Sequence, residues 1–363
     1  MDDLAHAQSL CDQLGEIFCL TFIKGVDARE ALLRMGGYPE TFRDRTIGEL
    51  SERAQSFDAG YPAMAAAMRL GAWSVVIEPG GGLGAEHALL ESVAQGTTAV
   101  AVLRHDDASA HFSYAVDGTT VAAFDPGYPA EETIWGSDPG TLRHLMDALG
   151  LRPPDDESDT AWTQAEARAI VLAQRITGVR VPDSADLLRT ARLSAELEPW
   201  FVTPARRGDL LRANRRTPYT GDLVAAAEAA AAPVQRAVAV AQARRQAAAL
   251  GIADASGLAE ALDAAAQGKA APVAVESPLG RQVRDWLAAR KRASASGADR
   301  QRMTEAERSH ADGLGWFVTA LRGVLDDDPR VAVLAALRPL ASGLPALGDD
   351  SARAAALHSL GAE

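Results

Sequence analysis

One stretch restricts the fold of the first half more than any other: "HFSYAVDGTTVAAF", from His111 to Phe124. Asp117-Gly118 sits between two β-like runs. A two-residue hairpin turn of the favoured type needs φ > 0 at both central positions, and Asp-Gly tolerates it. The spacing predicts an antiparallel hairpin with Val116 opposite Thr119, Tyr114 opposite Val121 and Phe112 opposite Ala123. On that register His111, Ser113 and Ala115 share the other face with Phe124, Ala122 and Thr120. A chain that doubles back here builds an antiparallel meander rather than a parallel sheet wound through successive βαβ units.

The surrounding elements read as mixed α and β. Leu4–Leu14 has helical periodicity. "IFCLTFIKG" follows, apolar on both alternating faces, as in a strand buried inside a sheet. Asp27 is an N-cap for a helix through Met35 that closes at Gly36-Gly37. Tyr61–Arg69 reads as helical, Trp73–Glu78 as a strand, Gly84–Gln95 as a helix and Thr97–Arg104 as a second doubly buried strand. Pro139–Leu149 and Thr163–Thr177 are helical patterns separated by the acidic loop "RPPDDESD". Beyond about Glu196 no strand pattern stands out. Thr203-Pro204, Ser277-Pro278 and Asp328-Pro329 each place a capping residue before a proline suited to the first helical position. The longest helical pattern, Gly221–Leu250, is expected to kink at Pro233. "QGKAAPVAVESP" and "ASASGADRQ" read as loops. The expected fold is α+β, a mixed or antiparallel sheet with helices over residues 1–195, then an all-α, Ala/Arg-rich helical domain or extension over 196–363.

Charge divides the chain at nearly the same place. Residues 1–198 carry 15 Lys+Arg against 31 Asp+Glu, and the remainder 21 against 18, within a net charge of −13. The acidic half repels nucleic acid. Glu228, Pro233 and Arg236 interrupt the best apolar run, so no membrane span is expected. The acidic start, Met1-Asp2-Asp3, gives no signal-peptide pattern. Cys11 and Cys19 make neither a disulfide framework nor a thiolate metal site. The expected compartment is the cytoplasm.

The tempting motif is "WSVVIEPGGGLGAEHALLESV". Gly80, Gly82 and Ala85 satisfy G-x-G-x-x-[G/A] between a strand and a helix, and Asp106 lies about 20 residues on. Pro79 before the glycines lacks an N–H and has a fixed φ, which spoils the tight turn that aims backbone amides at a pyrophosphate. A strand and helices also precede the motif. The expectation is a strand-to-helix turn, with no cofactor.

His105, Asp106, Asp107 and His111 cluster around one strand connection with metal-ligand chemistry, but the spacing favours a solvated loop, and no metal is expected. Glu78 and Asp125 end two strands and would form an acid–base pair only if those ends meet. Asp125-Pro126 is also ordinary turn chemistry. No P-loop, G-x-S-x-G, H-E-x-x-H or C-x-x-C occurs, so no catalytic residue is assigned. The other histidines stand singly in helical patterns. Arg206, Arg207, Arg212, Arg215 and Arg216 form one cluster, and Arg281, Arg284, Arg290, Lys291 and Arg292 another. Such clusters can neutralise phosphates, but a solvated helix face, or one docking on the acidic half, fits better.

"FCLTFIKGVDAREALLRMGG", "WSVVIEPGGGLG", "TTAVAVLRH", "HFSYAVDGTTVAAFDP", "GSDPGTLRHLM" and "AIVLAQRITGVRV" together resemble, over about residues 14–181, an actinobacterial family known as a domain of unknown function. Members similar to it carry a polar or aromatic residue in the glycine turn, where this chain has Gly81 and Gly82. The resemblance implies no catalytic residues. The leading expectation is a non-catalytic protein that binds another protein in a regulatory, defence or immunity-like role. The second is a small-molecule site or enzyme pocket at the strand ends near Glu78, His105, Asp106, His111 and Asp125. The third is nucleic-acid binding through Arg206, Arg207, Arg212, Arg215 and Arg216.

Overall fold

A computed structural model describes residues 3–106, 109–153, 164–213 and 218–361. The chain forms two compact units, Met1–Ser56 with Pro62–Thr203, and Phe57–Tyr61 with Pro204–Glu363. The proline-bearing acidic loop lies from residue 154 onward outside the described residues.

The first unit runs α1 (Asp3–Leu14), β1 (Ile17–Lys24), α2 (Ala28–Arg34), β2 (Arg43–Arg45), α3 (Ile47–Ala54), β3 (Ala63–Leu70), β4 (Trp73–Pro79), α4 (His87–Val93), β5 (Thr98–His105), β6 (His111–Val116), β7 (Thr119–Phe124), α5 (Arg143–Leu149), α6 (Ala165–Thr177), α7 (Ser184–Arg189) and β8 (Arg192–Leu197). Its single eight-stranded sheet has the order β2-β8-β3-β4-β1-β5-β6-β7, and every pairing is antiparallel. One face packs Phe18, Leu20, Phe22, Ile77 and Phe112 against α1, α3, α5 and α6. The other packs Cys19, Ile23, Val76 and Ala101 against α2 and α4. Burial on both faces explains why β1 and β4 read as nearly unbroken apolar runs.

Tyr61–Arg69 is not a helix; Ala63–Leu70 is β3. Alanine favours helices by local propensity, but here the small side chains of Ala65, Ala66 and Ala67 let helices pack closely on both sheet faces. The Asp-Gly turn forms with φ of 47° and 75°, and Val116 pairs with Thr119 as expected. The register further from the turn is different. A bulge shifts it by one, so Tyr114 faces Ala122 and Phe112 faces Phe124, their rings stacked with centroids 4.9 Å apart. The bulge puts Ala122 and Phe124 on the same face as Phe112.

The second unit is helical: α8 (Pro218–Ala229), α9 (Ala232–Ala249), α10 (Leu258–Ala266), α11 (Pro278–Ala293), α12 (Gly297–Arg300), α13 (Glu305–Val324), α14 (Pro329–Leu337) and α15 (Asp350–Ser359). Ser277 caps α11 and Asp328 caps α14 through their side chains. Thr203-Pro204 starts no helix; the Thr203 hydroxyl instead donates back to the Pro199 carbonyl at 2.8 Å. Pro233 does not kink a continuous helix. It lies in the first turn of α9, which is separated from α8 at Ala230-Ala231. Part of "ASASGADRQ" is helical, as α12.

Buried polar groups in this unit close on backbone carbonyls. Arg236, 7% exposed, donates to the carbonyls of Val324 at 2.9 Å, Asp326 at 2.7 Å and Asp327 at 2.9 Å. One guanidinium thereby satisfies acceptors at the C-terminal end of α13. Arg236→Met should cost about 3 kcal/mol, since it leaves buried carbonyls without donors. Arg244→Ala removes only an exposed pair with Asp263 and should cost under ~0.5 kcal/mol. Urea unfolding of the two variants tests this, and equal losses would contradict the assigned role of Arg236.

Candidate functional site

Antiparallel pairing brings the C-terminal ends of β4, β5 and β7 and the N-terminal ends of β1 and β6 to one end of the sheet. Glu78, His105, His111 and Asp125 all lie along that end. They are spread across it: Glu78 is on β4 and Asp125 follows β7, four strand spacings or about 19 Å apart. These two carboxylates do not share a site.

Glu78 stands directly opposite Cys19 of β1 and is 1% exposed. After Pro79 the chain folds back over the sheet. The Gly80 amide donates to the Ile17 carbonyl at 2.8 Å. The Leu83 and Gly84 amides then donate to the two oxygens of Glu78, Oε2 at 2.9 Å and Oε1 at 2.8 Å. A Cβ on Gly84 would lie 1.9 Å from Thr21 Oγ1, so only glycine allows this approach. The motif that resembles a phosphate cradle thus aims its amides at a carboxylate of the same chain. Burial pushes the Glu78 carboxyl up to about 7, against the amides of Gly84 and Leu83 and the Cys19 thiol, which favour the charged form. Burial, and then the neighbouring Glu78, push the Cys19 thiol well above its ordinary range, which leaves it an inert core group.

The other candidates divide between structural partners and a second cluster. Asp106 is gripped by Arg104, through Nε at 2.9 Å and Nη2 at 3.2 Å, and Arg104 Nη1 donates to the Cys11 carbonyl at 2.8 Å. His105 is half-buried, and its Nδ1 is enclosed without a hydrogen-bond partner. Asp107 lies outside the described residues. His111 opens β6 opposite Leu103. Burial lowers its pKa, with the Asp125 charge opposing and His87 adding to the effect. Asp125 Oδ1 accepts the Gly127 amide at 2.8 Å, the turn role expected beside Pro126.

His87, read as an isolated helical histidine, anchors the second cluster. Its Nδ1 is 2.8 Å from Thr120 Oγ1, and its Nε2 is 3.4 Å from Glu91 Oε2. Glu91 Oε1 also accepts the Thr120 amide at 3.0 Å. The ring of Trp135 meets the His87 ring edge-on at 4.9 Å. No local pattern joins residue 87 to residue 135; the bridge between Ala123 and Trp135 along β7 brings them together. Among the described residues, no three His, Cys, Asp or Glu side chains are placed to hold a metal ion.

Of the arginine cluster, Arg206 precedes and Arg207 opens a 3₁₀ turn whose Asp209 accepts the Arg206 amide at 2.9 Å. Arg212 Nε donates to the Arg207 carbonyl at 3.1 Å. Arg215 and Arg216 lie outside the described residues.

The model of a family of unknown function, DUF6461, matches residues 1–199. The chain belongs to the DUF6461 family. The match takes in all eight strands, a longer span than the resemblance at 14–181, and leaves α8 to α15 outside. No curated protein and no solved structure matches the chain. No helix among the described residues is long and apolar enough to cross a membrane.

The DUF6461 unit also presents an unusual surface beside β7. Tyr128 is 51% and Trp135 42% exposed, and both lie in the segment that follows that strand. From residue 105 to 142 the chain carries Asp106, Asp107, Asp117, Asp125, Glu131, Glu132 and Asp138, and no lysine or arginine.

The raised carboxyl of Glu78 sets a pH dependence. In the folded chain it holds its proton up to about 7, against an ordinary value of 4.5. Its contribution to stability is fully present below about pH 4.5 and is lost as pH rises through about 7, when a buried charge forms. The linked change is about 3 kcal/mol. Glu78→Gln should therefore flatten the fall in unfolding free energy between pH 5 and pH 8. An identical fall in variant and wild type, measured by urea unfolding, would contradict the assignment.

Proposed function

We propose that the DUF6461 unit is a non-catalytic cytoplasmic module that binds a basic segment of another protein, in a regulatory or defence setting, through the strip 125–138. The observation that carries this reading is the pair of exposed aromatic rings, Tyr128 and Trp135, inside a run of sequence with seven acidic side chains and no lysine or arginine. Aromatic side chains are the usual anchors of protein interfaces, and a predominantly acidic rim, in which Arg143 pairs with Glu131 at 3.6 Å, steers a partner of opposite charge. Trp135 is already braced by His87, so little side-chain freedom is left to lose on binding. Glu78 and Asp106, the acidic groups with the strongest case for chemistry, are engaged in holding the fold, which weighs against a pocket at the strand ends. Cys11 and Cys19 are free and buried thiols, which suits a reducing compartment.

The test is capture by the tagged full chain from a nuclease-treated lysate of the source organism, read by mass spectrometry. The expected result is a near-stoichiometric protein partner whose recovery falls as salt is raised. In Trp135→Ala and Tyr128→Ala that recovery should drop by about tenfold, the loss of one interface anchor. The exposed control Arg244→Ala should capture as wild type does. Equal recovery by all four proteins, or no partner, would contradict the proposal.

A further inference from the structure

The helical unit carries a groove of about 920 Å³, whose walls include Leu211, Arg212, Thr220, Trp316, Arg338 and Leu340. Small-molecule sites occupy roughly 300–1,000 Å³. Local structure assembles a cationic end. Arg338 opens a 3₁₀ turn directly after α14, and its guanidinium lies over the ring of Trp316 on α13, 4.9 Å from the centroid. Its side chain is 30% exposed, within reach of solvent.

Positive charge outweighs negative charge around Arg338 itself, while the walls of the groove as a whole carry two arginines and two aspartates. Asp209 pairs with both Arg322 and Arg338, the latter at 3.7 Å, so one carboxylate serves two guanidiniums. Arg212 and Arg290 add two more cations. Burial first, and then these like charges, lower the pKa of Arg338, with Asp209 acting the other way. Asp349 and Asp350 also line the groove. Asp349 is occupied as the cap of α15, accepting the Ala352 amide at 2.7 Å, and its charge is felt by Arg245. Apart from Thr220, the remaining wall is apolar.

We infer that this groove binds a small molecule that joins an oxyanion, phosphate or carboxylate, to a planar apolar ring. The oxyanion meets the guanidiniums of Arg338 and Arg212, whose planar forks suit such groups. The ring packs beside Trp316 against Leu211 and Leu340. This site lies in the other unit from the protein-binding strip and stands or falls independently of it.

Calorimetric titration of the full chain with phenyl phosphate and with benzoate tests the inference and separates the two oxyanions, with inorganic phosphate and benzyl alcohol as half-ligands. At least one of the two whole probes should bind with a Kd of ~1 mM or tighter. Each half-ligand should bind more weakly. Affinity should fall about tenfold in Arg338→Gln and in Arg212→Gln, the loss of one charge-assisted contact, and also with rising salt. Arg244→Gln should leave it unchanged. Failure of both whole probes to bind, equal binding of benzyl alcohol, or unchanged affinity in Arg212→Gln would overturn the inference. Arg212 is exposed and close to the end of the described segment, so its variant decides the matter even if Arg338→Gln does not fold.

Discussion

The carboxylate of Glu78 is the point on which the sheet and its covering turn depend together. Pairing of β1 with β4 places it opposite Cys19, inside the sheet and away from water. A buried carboxylate is costly unless it is hydrogen-bonded. The chain meets that cost locally, by folding the segment after Pro79 back so that the amides of Leu83 and Gly84 reach both oxygens. The same fold-back sets the entry to α4, which carries His87 toward β7 and Trp135. Gly84 over Thr21 is the steric condition that makes the closure possible.

Much of the fold was legible because the local signals agreed with the tertiary outcome. Asp117-Gly118 took the two positive φ angles that its composition favours, and Asp27, Ser277 and Asp328 cap the helices expected of them. Where local and tertiary preferences conflict, the sequence misleads. The alanines of β3 carry helical propensity and are a strand because close helix packing needs small side chains there. The β7 bulge has no sequence mark, yet it moves Phe124 to the other face. Thr46 and Glu49 form a reciprocal capping box at the start of α3, a signal the sequence carries as T-x-x-E.

The candidate residues show why site chemistry is harder to read than fold. His105, Asp106, His111 and Asp125 are near one another in sequence, and the sheet does bring their strand ends to one side. Their partners are what decide their roles, and those partners are an arginine and backbone amides two to six residues away, engaged through turn geometry that no motif marks. Arg104 takes Asp106, the Gly127 amide takes Asp125, and the turn after β4 takes Glu78. The exposed aromatics that support the binding proposal carry no local motif; they stand out only once exposure is known. The groove around Arg338 likewise gathers residues from α13, the turn after α14 and the segment before α8, a grouping that arises from packing alone.

The closure of the glycine turn on Glu78 is most directly tested by an NMR pH titration that follows the Glu78 carboxyl carbon together with the amides of Leu83 and Gly84. The three signals should titrate in phase, with a midpoint near 7, because the two amides donate to the group that ionises. A carboxyl that titrates near its ordinary value of 4.5, or amides that do not move with it, would show that the turn is not closed on Glu78.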